Sequence, residues 1–149
     1  MTSSQPEIEP GSRHNGAAVI DCGGASVRAD IDTDLTVITV SGEIDAANVD
    51  DVSRHSFGLV PEGGALIVDL TGIDLIAIEG LCALFALHSR CARAHTKWTL
   101  IVDRAASRLL RVGDPEKLLP AVGSAAEAVQ LVRQSGRDHR SLQLASPAS

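Results

Sequence analysis

Three potential metal ligands share one face of a predicted helix. His88, Cys91 and His95 lie at spacings of three, four and seven residues, so their side chains project from the same side of an α-helix. Imidazole and thiolate groups are ligands that zinc takes in proteins. Leu81 and Leu84 fall on the same face, which indicates a buried stripe in which cysteine acts as a small apolar residue. A zinc site would also need a fourth ligand from elsewhere, so the sequence predicts no metal site.

The three cysteines are few and odd in number, which is typical of free thiols in a reducing compartment. Cys82 and Cys91 lie nine residues apart on the same predicted helix, roughly 13 Å apart along its axis. That distance exceeds the limit of about 7 Å between the Cα atoms of a disulfide. A disulfide from Cys22 to one of the others depends on the fold and stays an alternative.

No enzyme motif occurs in the chain. The P-loop, the dinucleotide-binding G-x-G-x-x-G, the nucleophile elbow G-x-S-x-G and the zinc-protease H-E-x-x-H are all missing from the sequence. The paired glycines Gly23-Gly24 and Gly63-Gly64 precede predicted strands and indicate turns. The sequence therefore predicts a protein that is not an enzyme, with no catalytic residue and no cofactor.

The composition is typical of one folded, soluble domain. The 149 residues are 44% hydrophobic and 21% charged, and 13 basic against 19 acidic residues leave a net charge of −6. This balance disfavours nucleic-acid binding, which draws on lysine and arginine. No apolar run approaches the ~20 residues of a membrane helix, and the N-terminus lacks a signal-peptide pattern. We expect a cytoplasmic protein with no membrane partner.

Strand and helix patterns alternate between two polar ends. Residues 1–17 and 134–149 are predicted to be disordered, which leaves a domain over residues 18–133. The order of elements indicates the α/β class with a mixed sheet. Strands are predicted at Val19–Cys22, Ala25–Asp32, Leu35–Ser41, Ala65–Leu70 and Trp98–Val102, and helices at 46–57, Gly80–His95, 104–112 and from Ser124 to about Val132.

Two segments carry a family resemblance. Residues 40–45 read VSGEID, and residues 66–91 read LIVDLTGIDLIAIEGLCALFALHSRC. They resemble the STAS domain of bacterial anti-sigma factor antagonists, which share a G-E-[LI]-D segment and a V-D-L-[ST]-G-[VI]-x-[FL]-[IM]-D-S-S-G-L segment. The resemblance covers about residues 25–133. It implies the STAS fold, a small mixed sheet of four or five strands backed by about four helices.

The chain departs from the family where phosphorylation takes place. In the family, a serine of the D-S-S-G-L segment is phosphorylated by the anti-sigma factor, itself a protein kinase. Alignment on Gly80-Leu81 puts Ala77, Ile78 and Glu79 in place of the aspartate and the two serines. The phosphoacceptor position is Ile78, so we expect no phosphorylation there.

Glu79 suggests an alternative, a permanent mimic of the phosphorylated state. A carboxylate carries one charge where a phosphate carries about −1.5 to −2, and Glu79 sits roughly 100° around a helix from position 78. An acidic residue in the first turn of a helix also has the plainer role of complementing the helix dipole.

The resemblance implies a partner surface at the start of the predicted Gly80–His95 helix. Ile78 would anchor the partner, although the alternative that it folds back against its own domain stays open. Asp45 is both a surface candidate and the predicted N-cap of the first helix. The predicted partner-binding residues are Asp45, Asn48, Ile78, Glu79, Gly80 and Leu81.

The resemblance implies a regulatory protein-binding module. It would dock on an anti-sigma factor or a related kinase-fold ATPase and modulate sigma-dependent transcription. The alternative is an accessory or scaffold subunit of a transport or stress complex with no sigma-factor role. A weak homodimer is compatible with both hypotheses.

Overall fold

The computed structural model describes residues 18–133, so the predictions of disorder for residues 1–17 and 134–149 lie outside the described part of the chain. A 3₁₀ turn covers Phe57–Leu59. The strands are β1 (Val19–Asp21), β2 (Ala25–Ile31), β3 (Leu35–Ile44), β4 (Ala65–Ile76), β5 (Lys97–Ile101) and β6 (Ala121–Val122), and the helices are α1 (Val49–His55), α2 (Ile78–Arg93), α3 (Arg104–Gly113) and α4 (125–133).

The six strands form one mixed sheet in sequence order, β1 to β6. The strands β1, β2 and β3 pair antiparallel, and β3, β4, β5 and β6 pair parallel. This confirms the α/β class and the predicted hairpin between β2 and β3. The strand count exceeds the predicted four or five because of β6, an edge strand of only two residues, whereas β1, with three residues, is among the predicted strands.

Helices cover both faces of the sheet. Side chains alternate along each strand, so Val68 of β4 packs in the larger cluster with α1, α2 and α3. Ile67 points to the other face, where it packs with Ala128 and Val132 of α4. Burial on both faces explains why residues 65–70 are apolar with the exception of Asp69.

The strands β3 and β4 are longer than predicted and end side by side. The prediction ended β4 at Leu70, but the strand continues to Ile76, which pairs with Ile44 at the end of β3. Parallel pairing to β3 supplies backbone partners to a segment whose own sequence shows weak strand alternation. Both strands therefore finish at the same end of the sheet, where the chain continues towards α1 and α2.

Two helices differ in length from the prediction. The helix α1 begins at Val49 rather than at residue 46 and ends at His55, with Phe57 buried in the 3₁₀ turn that follows. The helix α2 begins two residues early, at Ile78, and ends at Arg93, because His95 takes a left-handed backbone conformation with φ of 56°. Among the described helices, none is long and apolar enough to cross a membrane.

Candidate partner-binding site

The start of α2 is hydrogen-bonded to the end of β3. The backbone N–H of Ala77, the N-cap residue, donates to the carbonyl oxygen of Ile44 over 2.8 Å. No side chain caps the helix at this end, as expected once alanine replaces a capping residue. The start of α2 is thus positioned by backbone contact with the sheet.

Gly80 allows that first turn to lie directly on the strand ends. A Cβ atom at this position would stand 2.6 Å from Cγ1 of Ile76 and 3.2 Å from Cγ2 of Ile44. Both distances are too short for ordinary carbon contacts. A glycine is needed here for close packing, and its place in the motif follows from this geometry.

Asp45 caps the turn that precedes α1, rather than the helix itself. Its Oδ1 accepts the backbone N–H groups of Ala47 and Asn48 over 2.9 and 3.1 Å. The residue at the N-cap position of α1 is Asn48, so the predicted N-cap at Asp45 is wrong by one turn. The carboxylate stays partly exposed at the edge of the site.

Asn48 is an interior residue of the site, with 3% of its surface exposed. Its Oδ1 accepts the backbone N–H of Asp45 over 2.9 Å. Its Nδ2 donates to the carbonyl oxygens of Gly23 and Glu43 over 2.9 and 2.8 Å. One amide therefore joins the turn between β1 and β2, the end of β3 and the Asp45 turn, which makes Asn48 a positioning residue.

The six predicted residues meet in one region but differ in exposure. Ile78 is 57% exposed, so the alternative in which it folds back against its own domain is not the observed arrangement. Asp45 and Glu79 are partly exposed, whereas Asn48, Gly80 and Leu81 are buried. Their direct contact with a partner stays a prediction.

Leu75 is a neighbouring apolar residue that the sequence analysis missed. It is 52% exposed and pairs in register with Glu43 near the ends of β4 and β3. Strand alternation does not identify it, because Ile73, two residues earlier, is buried and the pairing of β3 with β4 shifts register just before Leu75. The geometry is that of an exposed surface with two large apolar side chains and acidic residues around them, suited to binding another molecule.

The family model of the STAS domain matches residues 26–108, more than half of the chain. The chain belongs to the STAS-domain family. "Osmosensory protein A" of Mycobacterium tuberculosis is 33% identical over 122 residues, which cover 76% of this chain and 75% of that protein. The resemblance stated from the two sequence segments is thereby confirmed.

Solved structures share the fold of this STAS domain. An anti-sigma factor antagonist from Mycobacterium paratuberculosis superimposes with a TM-score of 0.66 at 22% identity, over 73% of this chain and 94% of the other. Unphosphorylated SpoIIAA, also an anti-sigma factor antagonist, gives 0.58 at 13% identity, over 72% and 96%. SLC26A9 gives 0.60 at 18% identity, over 77% of this chain and 22% of that one.

Two of the three potential metal ligands, His88 and Cys91, serve the packing of the STAS domain, whereas His95 is exposed. Nδ1 of His88 accepts the indole N–H of Trp98 over 3.1 Å, and the ring centroids lie 6.0 Å apart. Cys91 is buried, and His95 lies beyond the end of α2. Within residues 18–133, no three side chains of the metal-binding types come together.

All three cysteines of the STAS domain are free thiols. Burial raises the pKa of the Cys91 thiol to about 11, against a smaller opposite effect of Arg90. Burial also raises the pKa of Cys22, with the negative charges of Asp51 and Asp21 acting in the same direction. Both thiols are therefore protonated and weakly nucleophilic at neutral pH, while Cys82 is exposed.

Proposed function

We propose that this STAS domain is a regulatory protein-binding module that docks on an anti-sigma factor or a related kinase-fold ATPase and modulates sigma-dependent transcription. The observation that carries the proposal is the exposed Ile78 on the first turn of α2. The family resemblance puts the phosphorylated serine at this position. The fold shared with two anti-sigma factor antagonists supports the proposal. The proposal also includes three expectations from the sequence: a cytoplasmic location, no enzyme activity and no cofactor.

Ile78 has the properties of an anchor residue. Binding energy at protein interfaces concentrates in a few large side chains that become fully buried, and Ile78 and Leu75 each leave more than half of their surface exposed. Asp45 and Glu79 supply a polar rim. An interface of ~800 Å² per partner would cover these residues and their surroundings.

The buried members of the predicted set support the surface from below. Gly80 lets the first turn of α2 rest on the ends of β3 and β4, and the buried side chain of Leu81 lies against Gly113. Asn48 holds the Asp45 turn in place through its three hydrogen bonds. In this proposal these residues position the surface, and the partner contacts Ile78, Leu75, Asp45 and Glu79.

The proposed docking works without a phosphate switch at α2. Positions 77–79 carry no hydroxyl group, so a kinase partner has no acceptor in the first turn. A phosphate there would place about two negative charges within the contact surface. Control of docking would instead come from protein abundance, from a bound ligand or from the state of the thiols.

Affinity capture with paired variants tests the proposal. Wild-type protein, Ile78→Arg and Ile31→Arg serve as baits in reducing extracts of the source organism, prepared with and without osmotic shock because the M. tuberculosis relative is named an osmosensory protein. Ile31 is the matched control, since it is 52% exposed. It pairs with Thr36 near the start of β3, at the opposite end of the sheet from Ile78.

We expect mass spectrometry to identify a kinase-fold anti-sigma factor on the wild-type and Ile31→Arg baits. The same protein should be at least ~10-fold depleted on the Ile78→Arg bait, because a charged side chain would replace the apolar side chain that becomes buried in the complex. The purified pair should then bind directly. Capture that is insensitive to Ile78→Arg, or the absence of any such ATPase, would refute the proposal.

A second candidate function is a scaffold or accessory subunit without a sigma-factor role. The match to SLC26A9 favours it, since the STAS fold there occupies 22% of a longer chain. A partner without a kinase fold, or a stable homodimer in sedimentation analysis, would support this alternative.

A further inference from the structure

A basic groove runs between α3 and the edge of the sheet formed by β5 and β6. It encloses about 950 Å³ and is separate from the exposed face of Ile78. Arg104, Arg108 and Arg111 line it from α3, and Lys117 lines it from the loop that follows. Spacings of four and three residues place the three arginines along one side of the helix.

The four cationic side chains have no carboxylate partner within the described residues. The two ion pairs found in residues 18–133 join Arg28 to Asp30 and Arg54 to Asp51, away from the groove. Unpaired cations that converge on one concave surface attract anions more strongly than the same charges dispersed over a surface. The groove is positively charged on a chain whose net charge is −6.

Two carboxylates also line the groove, and the cations outnumber them. Asp114 is 5% exposed, and its two oxygens accept the backbone N–H groups of Leu118 and Leu119, both over 2.9 Å. That carboxylate is engaged in holding the loop of Lys117. Asp103 is the other acidic residue, at the exposed N-terminal end of α3.

We propose that this groove binds a small, non-aromatic organic molecule with two or more phosphate charges. Guanidinium groups match the geometry of phosphate oxygens and form paired hydrogen bonds with them. The groove has the size of small-molecule sites, which span ~300–1,000 Å³. Apart from Ser107, the remaining lining is uncharged and largely aliphatic, with Val102, Leu110, Leu119 and Val122 among it, and no aromatic side chain lines the groove for stacking on a base.

This proposal is independent of the proposed function, because it rests on α3 and the β5–β6 edge alone. If no anti-sigma factor bound at Ile78, the groove proposal would be unaffected. If no phosphorylated molecule bound in the groove, the docking proposal at Ile78 would be unaffected.

The test is an NMR titration of ¹⁵N-labelled protein at about 0.15 M ionic strength, where the Debye length is about 8 Å, with inorganic pyrophosphate and with fructose 1,6-bisphosphate. We expect saturable shifts confined to the amides of residues 103–123. The sugar bisphosphate should bind more tightly than pyrophosphate because the aliphatic walls contact its carbon skeleton. The mapping on wild-type protein does not depend on any variant.

Two double variants separate the groove from general electrostatics. Arg104→Gln/Arg108→Gln should weaken both probes at least ~10-fold, since charged hydrogen bonds contribute most of such affinities. Arg90→Gln/Arg93→Gln removes two exposed charges from α2, outside the groove, and should leave affinity within about twofold. Circular dichroism melting verifies that both variants are folded.

Three results would overturn the proposal. The first is no saturable shift at about 10 mM of either probe, the range of very weak binding. The second is an equal loss of affinity in both double variants, which would indicate a diffuse charge effect. The third is fructose 1,6-bisphosphate binding no more tightly than pyrophosphate, which would exclude recognition of an organic group.

Discussion

At the scale of single residues, Asn48 shows how one buried side chain positions a surface. Its amide donates to two carbonyl oxygens and accepts one N–H group. Among side chains, only the carboxamides of asparagine and glutamine combine two N–H donors with a carbonyl acceptor, and that of glutamine is one methylene longer. The sequence predicted the place of Asn48 in the site, but its burial depends on the turn of Gly23, 25 residues earlier in the chain.

Because the Cys91 thiol is buried, we expect the fold to lose stability at alkaline pH. Its pKa is raised from 9.0 to about 11 in the folded chain, so the unfolded chain loses the thiol proton first. The contribution of this group is complete below about pH 9 and is lost as the pH rises to about 11, a loss of up to about 2–3 kcal/mol. The chain contains no tyrosine that would titrate in the same range.

We expect Cys91→Ala to lose less stability than wild type between about pH 8 and about pH 10.5. The measurement is the free energy of unfolding by urea at the two pH values. Cys82→Ala is the control, because Cys82 is exposed, and it should behave as wild type does. Equal losses in all three proteins would contradict the role of the buried thiol.

At the scale of elements, the end of α3 packs against the first turn of α2. A Cβ atom on Gly113 would lie 2.2 Å from Cδ2 of Leu81, and Leu81 is 4% exposed, so it has no free space to enter. We expect Gly113→Ala to lower the free energy of unfolding by about 1–3 kcal/mol, the usual cost of overpacking. It should also weaken partner binding, since Leu81 belongs to the same first turn of α2 as Ile78.

The matched control is Gly58→Ala, because the nearest atom to a Cβ there is the Ser53 carbonyl oxygen at 3.9 Å. Urea unfolding of both variants measures the difference. The combination of Gly113→Ala with Leu81→Val should cost less than the sum of the two single changes, because the smaller side chain relieves the contact. Additive costs, or equal stability of the two glycine variants, would contradict this account.

At the scale of the whole molecule, α4 completes the core. The family model ends at residue 108, yet Ala128 and Val132 of α4 pack on Ile67 and Ile101 across the second face of the sheet. Ser124 caps this helix by accepting the N–H of Glu127 over 3.2 Å, which is one half of the predicted capping box. The Glu127 carboxylate accepts the N–H of Gly123 over 3.2 Å, rather than that of Ser124. The helix α4 is therefore part of the packed fold, and the domain boundary at residue 133 stays a prediction.

We expect Ala128→Asp to lower the free energy of unfolding by at least about 3 kcal/mol, because it buries an unpaired carboxylate. Ala128 is 0% exposed. Ala126→Asp, on the exposed side of the same helix, should change stability by less than about 0.5 kcal/mol. Equal urea midpoints for the two variants would show that the packing of α4 does not stabilise the fold. That result would contradict the predicted C-terminal boundary of the domain.

The sequence by itself determined the types of the elements and the chemistry that the site lacks. Period-2 alternation predicted the hairpin of β2 and β3, and the apolar stripe predicted α2, because these patterns depend on neighbours along the chain. The missing hydroxyl at Ile78 needs no structure at all. The family membership likewise followed from two short segments.

The tertiary structure decided what depends on neighbours in space. The length of β4 follows from pairing with β3, the exposure of Ile78 from the contact of Ala77 with Ile44, and the basic groove from the loop that brings Lys117 beside α3. In each case the deciding partner is distant in sequence or belongs to another element. Local periodicity carries no information about such contacts, because they form only when the sheet and its helices assemble.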